Sequence, residues 1–359
     1  MRNRLKRMRR ALTWPICAVA LLLAAGACMP GCAREPQIKR QTWMSMGTFS
    51  SLAVAGPDAR RVAEAAAAAR DCLNSIESCL STYIPQSDIS RLNAAAGREA
   101  VELSPAAADC LRLAVHYAEI SDGAFDVTVG PVVSAWGLHA GAPPARPLDA
   151  ATLRDALSRV GIRHVSLSNR WARLDQAGAG IDLGGIGKGY GVDVCYEGLR
   201  GMGMTNFMVD LGGNIRCAGQ PRPGEPWRIG VRNPFDRDET LGTLNLSNGL
   251  AVATSGNYER FVVIQGERYT HIIDPRTGYP IKGMAGVTVV CTNAVESDAM
   301  STSLFVLGLE GSRAALARVP GCEALFVPDR QPMEIWVTPG FSNGFTPEPE
   351  YAKCVRELK

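Results

Sequence analysis

The chain has 359 residues, 46% hydrophobic and 20% charged, with 38 Lys and Arg against 35 Asp and Glu and a formal net charge of +3. Six of those basic residues stand in the first ten positions, so residues 28–359 carry 32 basic against 35 acidic side chains. That balance, with no basic stripe studded with aromatics elsewhere, excludes a nucleic-acid binder, and the length is enough for one large or two smaller cores.

The start MRNRLKRMRR is followed by ALTWPICAVALLLAAGA, uncharged to residue 27, and then by Cys28. A basic stretch, an apolar core too short to span a bilayer comfortably, and small residues before a cut predict a lipoprotein signal over 1–27. Cys28 is the expected lipidation site, with Cys32 as the alternative. Residues 28–40 read as a linker, 41–345 as the folded domain and 346–359 as a tail.

TWMSMGTFSSLAV (42–54) reads as one strand, and a helix is predicted from the N-cap Asp58 to Leu80, with Val62, Ala65, Ala69, Cys72, Ile76 and Cys79 on one face. Ser87 caps a short turn after Pro85. Ser104-Pro105 starts a second helix ending before Asp122-Gly123, and Asp149–Val160 forms a third. HVSLS and RWARLD predict a hairpin, 188–202 a helix, and TNFMVDLGGNIRCAGQ a strand, tight turn and strand. The strands WRIGVRN, TLGTLNLS, LAVATSG, RFVVIQ, RYTHIID and GVTVVC follow, then a helix from Ser297 to about Leu307 and the strands EALFVP and MEIWVTP. This order predicts a mixed α+β fold with a largely antiparallel sheet. The chain has 11 cysteines, but no C-x-x-C occurs, and most of the later ones sit in apolar patterns as small hydrophobes.

IDLGGIGKGYGVD (181–193) resembles a phosphate loop but fails both nucleotide templates. Asp182 stands where a P-loop needs its first glycine, Gly189 replaces the Ser or Thr that would ligate magnesium, and no G-x-G-x-x-G register closes on a glycine. The remaining physical reading is that glycines let the backbone approach a ligand and that the following helix offers N–H groups to an anion. Asp298 and Thr302, four residues apart, share one helix face near its start, a donor pair suited to a hard cation, although spacing alone favours structural roles, a first-turn dipole partner and a buried helix hydroxyl. THIIDPRTGYP (270–280) sets His271 near Asp274; of the four histidines, His116 and His164 lie in element patterns and read as structural, while His271 is the candidate base. The polar turns ATSGNYERF and DGAFDVTVGPVVSAWG, with Tyr258, Phe125 and Trp136, could build a pocket or anchor a core.

Taken together these segments resemble the ApbE family, the FAD:protein FMN transferases. The resemblance rests on eight segments in order: MGT (46–48), YIPQSDISRLN (83–93), GAFDVTVGP (123–131), IDLGGIGKGY (181–190), LGGN (211–214), ATSGNYER (253–260), HIIDPRTGYP (271–280) and DAMST (298–302). It implies an ApbE-like, T-fold-like α+β architecture with FAD in a central cleft. The implied flavin-binding positions are Met46, Tyr83, Ala124, Phe125, Asp126, Asp182, Lys188 and Ile272. The implied magnesium ligands are Asp298, Thr302 and the Gly185 carbonyl, with Ser301 contributing; relatives often carry Ala or Ser at 185 and 187, and either a basic or an acidic residue at 188.

The implied activity is magnesium-dependent transfer of FMN from FAD to a threonine hydroxyl of an acceptor protein with release of AMP, His271 serving as base with help from Asp274. The implied partners are flavoprotein subunits of membrane redox complexes, and the implied location is the periplasmic face of a bacterial inner membrane, through the lipid anchor. Two other readings use the same residues: an FAD pyrophosphatase giving FMN and AMP, and a non-catalytic flavin-binding lipoprotein.

Overall fold

A computed structural model describes residues 37–56, 58–138 and 143–358. The expected signal segment, Cys28, Cys32 and His139 lie outside the described residues. The first half of the chain comprises β1 (Ile38–Ser45), β2 (Thr48–Ala55), α1 (Ala59–Leu80), α2 (Asp88–Ala94), β3 (Val101–Glu102), α3 (Pro105–Ile120), α4 (Gly130–Ala135), α5 (Ala150–Ser158), β4 (Val165–Ser168) and β5 (Trp171–Leu174). Next come α6 (Gly187–Gly201), β6 (Phe207–Leu211), β7 (Asn214–Ala218), β8 (Trp227–Arg232), β9 (Thr240–Leu246), β10 (Ala251–Gly256), β11 (Phe261–Ile264), β12 (Glu267–Thr270) and β13 (Met284–Cys291). The last elements are α7 (Ala294–Ala317), β14 (Glu323–Pro328), β15 (Ile335–Val337), α8 (Pro339–Gly344), β16 (Phe345–Pro347) and β17 (Val355–Glu357).

A nine-stranded sheet in the order β1-β2-β6-β7-β10-β13-β14-β15-β17 organises the fold. Its neighbours pair antiparallel except β15 and β17, confirming the expected α+β class. Strand alternation sorts its side chains into two layers. Leu52, Val54, Phe207, Val209 and Leu211 pack against Val62, Ala65 and Leu73 of α1 and Val192, Cys195 and Leu199 of α6. Ala53, Met208, Ile215 and Val252 face the other way, onto Trp227, Val231, Leu241 and Leu244 of the small sheet β16-β9-β8.

The caps behave as the sequence predicts. Asp58 accepts from Arg60 and Arg61 N, Ser104 from Ala107 N, and Asp149 from Ala151 and Thr152 N, each fixing a helix start. Other expectations are corrected. The single strand over 42–54 is a hairpin: β1 and β2 pair antiparallel around Met46 (φ 49°) and Gly47 (φ 68°), a two-residue turn with both centres left-handed and without the Asn-Gly or Asp-Gly signal that would announce it. β1 begins inside the expected linker. The expected tail is part of the fold, since β16 pairs with β9 and β17 with β15. The turn 122–137 contains a short helix, α4, and α7 runs ten residues beyond Leu307, past a kink at Gly308 (φ 65°). Cys291 and Cys322 form a disulfide, so those two are not free hydrophobic thiols.

Candidate functional site

A cavity of about 1040 Å³ opens where the β1–β2 turn, the loops after α1 and α3, the loop before α6, the base of the β11–β12 hairpin and the first turns of α7 converge. Met46, Tyr83, Ala124, Phe125, Asp126, Asp182, Gly185, Lys188, His271, Ile272, Asp298 and Thr302 all line it. Residues spread over more than 250 positions of sequence thus share one space.

Each is fixed locally. The Met46 N–H donates to Glu77 Oε2 of α1 (2.9 Å), which steadies the left-handed turn. Phe125 and Ala124 are buried, giving the cavity an apolar wall. Asp126 accepts from the N–H and hydroxyl of Thr128 (2.8 and 2.6 Å), and burial pushes its carboxyl upward. Asp182 accepts from the Gly184 N–H (2.8 Å) and so shapes the glycine loop. Tyr83 stands at the rim, 59% exposed.

His271 Nδ1 lies 3.0 Å from the Arg260 carbonyl oxygen, across the base of the hairpin. A carbonyl only accepts, so Nδ1 carries the proton and Nε2 is left as the basic nitrogen. Burial, with the Arg260 and Lys188 charges, lowers its pKa to about 4, so the ring is neutral at neutral pH. Asp274 does not assist it. Its carboxylate is held bidentately by Arg276 Nε and Nη2 (2.8 and 2.9 Å) and accepts the Arg276 N–H, and it does not line the cavity. The nearness of Asp274 to His271 in sequence is spent on a turn that points the carboxylate at its own neighbour.

Asp298 is 4% exposed and already has three donors around it. Oδ2 accepts from the Gly189 N–H (2.9 Å), and Oδ1 lies 3.5 Å from Lys188 Nζ. With its amide nitrogen toward Asp298, Asn214 donates to Oδ1 (3.1 Å) and accepts from Lys188 Nζ (3.3 Å). The α6 N-terminus therefore does meet an anion, but the anion is Asp298. Gly187 N is likewise taken by the Leu183 carbonyl (2.7 Å), so these amides are not left for a phosphate as the loop alone suggests. Ser301 is also corrected: it is fully buried, donates to the Asp298 carbonyl (2.9 Å) and sits 2.9 Å from Ser255 Oγ, outside the cavity lining. Ser255 and Asn214, within two motifs of the resemblance but not singled out by sequence, touch Thr302 and Asp298 instead.

The donor set fits a small hard cation. A carboxylate, a threonine hydroxyl and a carbonyl are oxygen ligands. A Cβ added at Gly185 would lie 3.3 Å from Thr302 Oγ1 and 3.0 Å from Phe125 Cε2, so the Gly185 backbone stands directly against Thr302, and a side chain here would need its neighbours to give by a few tenths of an ångström.

The ApbE family model matches residues 46–326. The FAD:protein FMN transferase of Salmonella typhimurium is 29% identical over 334 residues, covering 90% of this chain and 95% of the relative. The FAD:protein FMN transferase of Treponema pallidum is 33% identical over 334 residues, 87% of this chain and 90% of the relative. Among solved structures, the flavin transferase ApbE of Vibrio cholerae superposes with a TM-score of 0.76 at 28% identity, covering 86% of this chain and 100% of that one. The apo flavinyl transferase ApbE of Pseudomonas stutzeri gives 0.77 at 27%, covering 87% and 98%.

Proposed function

The chain belongs to the ApbE family, and from that premise we propose that it is an FAD:protein FMN transferase acting on the hydroxyl of a threonine in an acceptor protein. The observation that carries the reading is the opening of a tautomerically fixed, neutral His271 into the same cavity as Asp298, Thr302, Lys188 and the Gly185 backbone.

Ala124, Phe125 and Ile272 provide an apolar wall for the flavin, and Lys188 a cation for its phosphates. Asp298, Thr302 and the Gly185 carbonyl would hold a magnesium ion, which when bound neutralises pyrophosphate charge and eases departure of AMP. His271 Nε2 accepts the acceptor hydroxyl's proton as that oxygen bonds to the FMN-side phosphorus; the bond from this phosphorus to the bridging oxygen breaks, and AMP leaves with that oxygen. The products are a protein-linked FMN phosphoester and AMP. The Arg260 carbonyl keeps the ring oriented and stabilises the imidazolium that forms.

Incubating the protein with FAD, magnesium and a flavin-accepting domain should give a fluorescent band that survives denaturing electrophoresis. FMN and AMP formed at an equal rate without any acceptor would instead assign the pyrophosphatase reading.

Export through 1–27 and anchoring on Cys28 belong to the same proposal, with flavoprotein subunits of membrane redox complexes as acceptors at the periplasmic face of a bacterial inner membrane. The Cys291–Cys322 disulfide is in keeping with an oxidising compartment. Cys28→Ser should move the protein from the membrane fraction to the soluble one; an unchanged distribution would remove Cys28 as the anchor.

A further inference from the structure

The helices α6 and α7 hold each other by their starts. Asp298 of α7 accepts the first-turn N–H of Gly189 in α6, and Asp193 of α6 accepts the first two N–H groups of α7, Ala294 to Oδ1 and Val295 to Oδ2, both at 2.8 Å. The two arms have the same spacing: Gly189 and Asp193 are four apart on α6, and Ala294 and Asp298 are four apart on α7, so each pair lies on one helix face. Each carboxylate supplies an acceptor that a helix N-terminus lacks, and its charge sits at the positive end of the other helix's dipole.

Strand β7 braces both arms from one face. Asn214 reaches Asp298, and two residues on, Arg216 donates to Asp193 Oδ1 (2.9 Å) while its guanidinium lies 3.9 Å over the Tyr196 ring. Asn293 caps α7 through the Glu296 N–H (2.8 Å), so Asp193 completes a start whose first three N–H groups all have acceptors. Asp298 and Thr302 are bonded directly by Gly189, Asn214 and Ser255, but the first turn of α7 has its own anchor. Asp193 supplies that anchor, and Asp298 and Thr302 lie one and two turns further along.

We propose that Asp193 is a positioning residue for the cation site, setting the placement of Asp298 and Thr302 against the Gly185 carbonyl from outside the cavity. The proposal rests on the reading of Asp298 and Thr302 as metal ligands. Asp193 does not line the cavity, and its hydrogen bonds go to the Ala294 and Val295 amides and to Arg216 rather than to Asp298 or Thr302, so its influence passes through the α7 backbone. Groups hydrogen-bonded to metal ligands typically change metal affinity by about 10- to 100-fold when removed, and Asp193, one step further back, belongs at the low end.

The test is calorimetric titration of Mg2+ into the full chain saturated with FAD, beside FAD titration without metal, for wild type, Asp193→Asn and Arg216→Gln. Asp193→Asn keeps the side-chain size but loses one acceptor and the charge. It should weaken Mg2+ binding about tenfold, while metal-free FAD affinity stays within about twofold. Arg216→Gln, which leaves the carboxylate but removes its brace, should give a smaller loss on the Mg2+ side alone, and it decides the question if Asp193→Asn does not fold. Wild-type Mg2+ affinity in whichever variants fold would overturn the proposal, as would an equal loss of metal-free FAD binding, which marks general damage. Failure of the wild type itself to bind Mg2+ would overturn the metal site instead.

Discussion

Gly189 donates its backbone N–H to Asp298 across 2.9 Å at a point where the two helices leave no room for a side chain: a Cβ at 189 would lie 2.3 Å from the Ala294 carbonyl oxygen and 2.7 Å from Asp298 Cβ. Gly189→Ala must therefore push α6 and α7 apart. Overpacking of this kind costs about 1–3 kcal/mol, and here it also lengthens the bond to Asp298. The expected result is a lowered Tm with a transfer rate that falls further than the stability loss explains. A variant with wild-type Tm and activity would show that the helices separate freely.

Asp298→Ala removes the carboxylate facing Gly189, Asn214 and Lys188 together. Flavin transfer should drop by about a hundredfold or more, while FAD retention by filter binding changes far less. Activity within threefold of wild type would displace the cation site from α7.

As the proposed base, His271 should set the acid side of the pH profile. Its folded pKa, about 4, lies below the ordinary value of about 6.5. The neutral ring's contribution to stability is therefore complete above the ordinary value and is lost as pH falls from there through about 4. The same sign holds for catalysis: the free enzyme keeps its base down to mildly acidic pH, and kcat/KM should fall on the acid side nearer pH 4 than pH 6.5. An anionic substrate raises that pKa, so the limb seen in kcat should lie higher. His271→Ala should cost about 10²–10⁴ in transfer and remove the acid limb. Retention of the limb in that variant would assign it to another group.

The Cys291–Cys322 disulfide closes a loop of sequence separation 31 that contains all of α7. On the chain-entropy account a loop of this size contributes roughly 3–4 kcal/mol. Reduction should lower Tm by several degrees, and Cys291→Ser with Cys322→Ser should reproduce it without a reductant. An unchanged Tm would mean that the surrounding core alone holds α7.

Much of the scaffold was legible because its signals are local. Asp58, Ser104 and Asp149 announce helix starts that the structure reproduces, and the strands of the second half fall where β-branched runs end in glycine or proline. The β1–β2 turn was not, because Met46 takes a left-handed conformation that its type does not advertise and that Glu77, 31 residues away, helps to hold. The cavity-lining set was legible only through the family resemblance, since spacing alone left Asp298 and Thr302 open to a structural reading. Asp274 shows the limit of nearness in sequence: three residues from His271, it bonds Arg276. Asp193 shows the converse. It ends the glycine loop segment in plain sight, but its partners are 101 and 102 residues away, and no local pattern encodes that distance.

The paired helix starts also bear on how the protein opens. Because the first turn of each helix is bonded by a carboxylate of the other, neither can fray without exposing its neighbour's amides. The N–H groups of Gly189, Ala294 and Val295 should thus exchange with deuterium as one cooperative unit, with a common opening free energy well above that of ordinary helix ends. A phosphate-loop look-alike and the helix of the proposed cation site, separated in sequence by four strands of the large sheet, by β8 and β9 and by the β11–β12 hairpin, would then melt as a single object.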